Sequence, residues 1–175
     1  TGAAQYYRDA RILTIDEGTT AIQANDLVGR KTVRDGGAVA REIIAGVRET
    51  EAELASASST DLQAIGKNLA VASIALDEVV AYVVANIQSD IKGVFAGSVP
   101  YLKMAGIVLG GWQMARAALV AQQKLDAKDG DAKFYSAKIA TARFFADHYL
   151  SQAGGYCSAI VDGSSGVLAL DEDQF

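Results

Sequence analysis

The chain is nearly without proline, cysteine and histidine: Pro100, Cys157 and His148 are the single examples in 175 residues. One cysteine cannot close an internal disulfide, which excludes a disulfide-stapled scaffold and fits a reducing, cytoplasmic setting. His148 has no Glu-x-x-His partner and no neighbouring cysteine, and no cluster of ligating residues has metal-site spacing, so no metal is expected. Scarce proline beside abundant alanine lets helices run long. No stretch alternates apolar and polar residues over strand length, so the class reads as all-α. Positive charge is also short: 16 Lys and Arg stand against 21 Asp and Glu, interspersed, for a net charge of −5. That balance argues against a nucleic-acid surface. No P-loop or dinucleotide fingerprint is present.

Two apolar stretches are long enough to test as membrane spans. Leu69 to Ile87 carries Asp77 and Glu78, and Tyr101 to Ala121 carries Lys103, Gln113 and Arg116. A span needs roughly 20 apolar residues with few or no charges. Both stretches read instead as buried helices of a bundle, and no membrane span is expected.

Punctuation and periodicity divide the chain. A helix is expected from Ala3 to Ile15, broken at Gly18. Thr20-Ala21-Ile22-Gln23 fits a capping box opening a second helix. Gly36-Gly37 is costly inside a helix and is the expected domain boundary, with residues 1–36 left from an upstream helical domain and 37–175 an appended bundle. Four longer helices follow. The first runs from Ala38 to Leu54 with Val39, Ile43 and Val47 on its apolar face. The second places Leu62, Ile65, Leu69, Ala72, Leu76, Val79, Val83 and Ile87 on one side at alternating spacings of three and four. Residues 89–100 read as an irregular connection. The third helix runs from Pro100 to about Ala127. The fourth runs from Asp131 to about Ala153, with Tyr135, Ile139, Ala142, Phe145 and Tyr149 inward, until Gly154-Gly155 interrupts it. Short loops between such helices predict an antiparallel up-down bundle.

Chemistry points to the N-terminal turn. Glu17 precedes Gly18 between two helices, where a carboxylate can enter a cleft while the helices hold its backbone. The helix start that follows offers free N–H groups and a positive dipole end. From the residues alone this is a carboxylate next to an anion-friendly helix start, of a type whose pKa burial can tune. Elsewhere the ordinary readings are structural: His148 at the surface, Cys157 as a small buried side chain, Trp112 filling a gap beside Gly110-Gly111, and Arg30 and Lys31 at a solvated helix end.

The run Arg8-Asp9-Ala10-Arg11-Ile12, three residues, then Asp16-Glu17-Gly18-Thr19-Thr20-Ala21-Ile22-Gln23 resembles the catalytic-base segment of the flavin-dependent acyl-CoA dehydrogenases. Tyr101-Leu102-Lys103, Gly110-Gly111-Trp112, the run from Lys133 to Phe144, and Gly166-Val167-Leu168-Ala169-Leu170 resemble the extra C-terminal helical domain of a larger, mostly bacterial subgroup. The resemblance implies the C-terminal part of a longer FAD-dependent enzyme. It makes Glu17 the base that takes the α-proton of an acyl-CoA thioester, sets Gly18 against the thioester, and lays Thr19, Thr20 and Ala21 along the FAD. It further implies an electron-transfer flavoprotein or similar acceptor and a homodimer or higher homo-oligomer. FAD belongs to the full-length enzyme and is not expected on this chain alone. Two positions depart from the family: Asp16 stands where an aromatic residue is usual, and Ala21 where Gln is frequent. The other reading is a non-catalytic helical module for subunit association or partner binding, drawing on aromatic surface from Trp112, Tyr135 and Phe144.

Overall fold

A computed structural model of the chain describes residues 2–12 and 18–174. Every regular element among them is helical, as the composition predicts. Helices α1 (Ala3–Ile12) and α2 (Thr20–Asp26) come first. A π-helical segment (Leu27–Val33) continues α2. Then follow α3 (Ala38–Ser56), α4 (Thr60–Asn86), α5 (Ile91–Ala96), α6 (Ser98–Asp126), α7 (Ala132–His148), α8 (Ala153–Val161) and α9 (Ser164–Val167).

The bundle is built around α4 and α6. The expected stripe on α4 is its core face: Leu62, Ile65, Leu69, Ala72, Leu76, Val79 and Val83 are buried, and Ile87 is partly so. From α6, Tyr101, Met104, Val108, Ala115, Ala118 and Ala121 meet it. Helices α3, α7 and α8 cover this pair. By length and composition α4 and α6 could each cross a membrane, but their buried faces are those of core helices.

Small residues set the closest approaches. A Cβ on Gly66 would stand 2.8 Å from the Leu54 Cβ, so α3 and α4 touch nearly backbone to backbone. Gly36 and Gly37 have φ of 66° and 80°, a left-handed pair that turns the chain from the π-helical segment into α3. Asp35 accepts from the Gly37 N–H at 2.9 Å and the Val39 N–H at 3.2 Å, tying down the new helix start.

Several local expectations are corrected. On α3 the buried positions are Ile44, Val47, Thr50 and Leu54, while Val39 and Ile43 stay exposed, because the π-helical segment packs to one side of them. Residues 89–100 are not irregular. Asp90 caps α5 by accepting from the Gly93 N–H at 2.9 Å, and α6 begins at Ser98, with Pro100 inside the first turn where no N–H is needed. The fourth helix ends at His148 rather than Ala153. Tyr149, with φ stretched to −111°, is the C-cap, a 3-10 turn spans Leu150–Gln152, and α8 then runs through Gly154 and Gly155. The cause is a plug: Leu150 enters the notch left by Gly111, where a Cβ would fall within 3 Å of its side chain. Ser151 and Gln152 donate to the Asp147 and His148 carbonyls that the break releases. The break also turns Tyr149 outward, stacked on Phe145, rather than into the core.

Candidate active site

Of the site residues named from sequence, Glu17 and its neighbour Asp16 lie outside the described residues. Gly18, Thr19, Thr20 and Ala21 are described, and all are exposed. They form a short non-helical step followed by the first turn of α2. The capping box is not the arrangement found. Thr19 precedes the helix and Thr20 is already its first residue. The Thr19 carbonyl accepts from the Gln23 N–H at 3.1 Å, and the Gln23 side chain folds back over Gly18, into the space a Cβ would take. Thr19 has φ 53° and ψ 93°. A β-branched residue at positive φ is strained and needs its surroundings to hold it.

The start of α2 brings backbone N–H groups, the Thr19 and Thr20 hydroxyls and the exposed Ile22 side chain to the surface. This is a floor on which a flat polar group or an anion can lie. Within α1, Gln5 joins Asp9 and Arg8 by hydrogen bonds of 2.6 and 3.1 Å. Arg30 pairs with Asp26 at 3.0 Å on an exposed face, which is the solvated helix end expected of it.

What supports this floor was not legible in the sequence. Ala24, Val28 and Thr32 recur every four residues and are each almost wholly buried. The Thr32 hydroxyl meets the Tyr101 hydroxyl at 2.9 Å inside the protein, linking the π-helical segment to the start of α6. Burial raises the Tyr101 pKa, and the bond to Thr32 offsets part of that rise. The spacing of Ala24, Val28 and Thr32 was a signal for a buried face, but nothing in one sequence pairs Thr32 with Tyr101.

Other candidates separate from the turn. His148 packs against the Phe144 ring at 4.5 Å on the far α7. Cys157 is buried on α8, and burial together with the Glu78 carboxylate pushes its thiol up to about 11, so it stays protonated and unreactive at neutral pH. Trp112 leans over Gly46 and donates its indole N–H to Thr50 at 2.8 Å, a structural contact. No group of acidic, histidine and cysteine side chains among the described residues could hold a metal.

Residues 40–171 match the family model described as "Acetyl-CoA dehydrogenase C-terminal like". The chain belongs to the acyl-CoA dehydrogenase family. It is 46% identical over 168 residues to a 3-methylmercaptopropionyl-CoA dehydrogenase of Ruegeria pomeroyi, covering 96% of this chain and 28% of that protein. It is 34% identical to a broad-specificity linear acyl-CoA dehydrogenase of Mycobacterium tuberculosis, over 98% of this chain and 29% of the relative. A butyryl-CoA dehydrogenase of Syntrophomonas wolfei is 29% identical, over 98% and 28%. The chain thus spans little more than a quarter of the relatives it matches, and the family match begins just after the Gly36-Gly37 turn.

Proposed function

We propose that this chain is the base-bearing and C-terminal part of an FAD-dependent enzyme that removes the α- and β-hydrogens of an acyl-CoA thioester. The reading divides the chain into residues 1–36, closing the catalytic helical domain, and residues 37–175, an appended bundle. The observation that carries it is the turn: in the sequence an acidic residue, Glu17, followed by a strained, exposed step of Gly18 and Thr19 leading into the exposed helix start at Thr20.

The described residues suit FAD. Thr19 and Thr20 bring hydroxyls and Ala21 a backbone N–H group to the exposed start of α2, with Ile22 adding apolar surface beside them. When bound, FAD supplies an acceptor for the β-hydride. Glu17 takes the α-proton onto its carboxylate, and Gly18 lies against the thioester once the Gln23 side chain that folds over it swings aside. An electron-transfer flavoprotein or similar acceptor in the cytoplasm would receive the electrons. Butyryl-CoA and 3-methylmercaptopropionyl-CoA, named for the relatives, are the first thioesters to try.

The test is Glu17→Gln in the full-length enzyme. The amide is nearly isosteric but does not accept the proton. Flavin absorbance should be retained, and bleaching by butyryl-CoA should slow by about 10²–10⁴-fold or more. Bleaching at the parent rate would remove Glu17 from the mechanism.

A second reading, association, is favoured by one surface. Phe134, Phe144 and Tyr149 on and just after α7 are 53%, 55% and 43% exposed, more apolar surface than a lone helix face requires. The bundle then also serves a homo-oligomer contact. Phe134→Ser with Phe144→Ser should lower self-association in sedimentation velocity while leaving the helical signal intact. An unchanged sedimentation coefficient across concentration for parent and variant removes this role.

A further inference from the structure

The helical segment that starts at Thr20 is seated on the bundle by three buried residues, Ala24, Val28 and Thr32. Two of them offer only methyl groups. Apolar contacts of that kind are non-directional and tolerate sliding and rotation. Packing beside them is also incomplete. A cavity of about 70 Å³ is lined by Leu27, Ile44, Leu76, Val80, Tyr101 and Leu109. Leu27 and Val33, partly buried, add further contact of the same non-directional kind. The third contact is different: the Thr32–Tyr101 bond is directional and joins residues 69 apart in sequence. Both residues are at most 2% exposed, so neither hydroxyl can turn to water if the pair opens. Thr32 lies in the π-helical stretch, where the turn is wider and the helix phase differs from an α-helix. A bond at this point selects one phase for everything N-terminal to it. At the N-terminal end of the segment stands Thr19, held at positive φ.

We propose that Tyr101 is a positioning residue, whose buried bond to Thr32 fixes the seat of the segment that carries residues 18–21 into the active site. The proposal rests on the dehydrogenase reading and adds to it a residue of the appended bundle that touches neither substrate nor cofactor.

Three variants of the full-length, flavin-loaded enzyme test it: Tyr101→Phe, Thr32→Val, and the two together. Each single change leaves one buried hydroxyl unpaired, whereas the double change leaves none, so the melting temperature should fall in the singles and recover in the double. The rate should not recover. A shift of order 1 Å in a reacting group can cost about 100-fold, so flavin bleaching at saturating butyryl-CoA should slow by about 10- to 100-fold in all three variants. The half-saturating concentration should change little. Hydrogen–deuterium exchange over residues 20–33 should quicken in all three, the double included, and this readout does not depend on turnover. Three results would overturn the proposal: a double variant that regains rate along with stability, singles that turn over at the parent rate, or a double variant that does not fold. Glu17→Gln separates the two readings. If it bleaches at the parent rate, the dehydrogenase assignment of the turn fails. If it is inactive while Tyr101→Phe is not slowed, only the positioning role fails.

Discussion

Glycine at position 66 can be tested against the propensity of its own helix. Replacing it with Ala in the middle of α4 favours the helix by about 1 kcal/mol, because Gly carries the larger entropy cost on folding. The structure opposes this. The new Cβ would stand 2.8 Å from the Leu54 Cβ and 3.7 Å from the Ala55 nitrogen. Leu54 is wholly buried, and a Cβ is fixed to its backbone, so no change of rotamer clears the contact. The helices must move apart. Overpacking a core commonly costs about 1–3 kcal/mol, and a rigid clash belongs at the upper end. The expected net loss is about 2 kcal/mol. At roughly 2–4 °C per kcal/mol for a chain of this size, the melting temperature should fall by about 4–8 °C. Gly106 in α6 is the control: it is exposed, and its Cβ would meet nothing within 4 Å. There helix propensity acts alone, and Gly106→Ala should raise the melting temperature by about 2–4 °C. Thermal unfolding followed by far-UV circular dichroism measures both. A Gly66→Ala chain that melts at or above the parent, with Gly106→Ala rising as expected, would refute the close approach of α3 and α4.

Leu69 is fully buried at the centre of the α4 stripe, so Leu69→Ala should cost about 2–5 kcal/mol in urea unfolding; a loss below about 1 kcal/mol would place it at the surface. The Cys157 thiol titrates at about 11 in the folded chain, above its ordinary 9.0. The native state holds that proton more tightly than the unfolded chain, so the contribution is complete below about pH 9 and is lost as the pH rises toward 11. Urea unfolding of parent and Cys157→Ala at about pH 8 and about pH 10 should show the steeper decline in the parent, and equal declines would contradict it.

The parts of the fold read correctly from sequence are those that one local pattern decides. The α4 stripe was legible because its alternating spacing has a single satisfactory burial, and that burial was found. The all-α class followed from composition. The misreadings arose where tertiary contacts override local pattern. Gly154-Gly155 carries a breaking signal, yet the helix breaks earlier because Leu150 is drawn into the Gly111 notch. Val47 is buried as expected, yet Val39 and Ile43, at the same helical spacing, stay exposed, and the core runs through Ile44 instead. At the candidate site, a helix start after Gly18 was legible because it is local, although it begins at Thr20 without the expected capping box. The seat beneath it was not, because a hydroxyl pair between Thr32 and Tyr101 leaves no local trace.

Sequence neighbours and spatial neighbours coincide for most of the bundle, and this has a kinetic consequence. Helices α3 and α4 are joined across Ala57 to Ser59, and α6 and α7 across residues 127–131, so each of these pairs closes only a short loop. Helix α8 is different: it packs on α4 from far along the chain. Closing the long loop carries more entropy cost and comes later when folding follows contact order. The two hairpins should therefore form first and α8 should dock last. Cys157 sits on that last piece and is covered only when it docks. The chain carries its own probe of the closing step: the time at which this thiol stops reacting with a pulse of alkylating reagent during refolding is the time at which the bundle is complete.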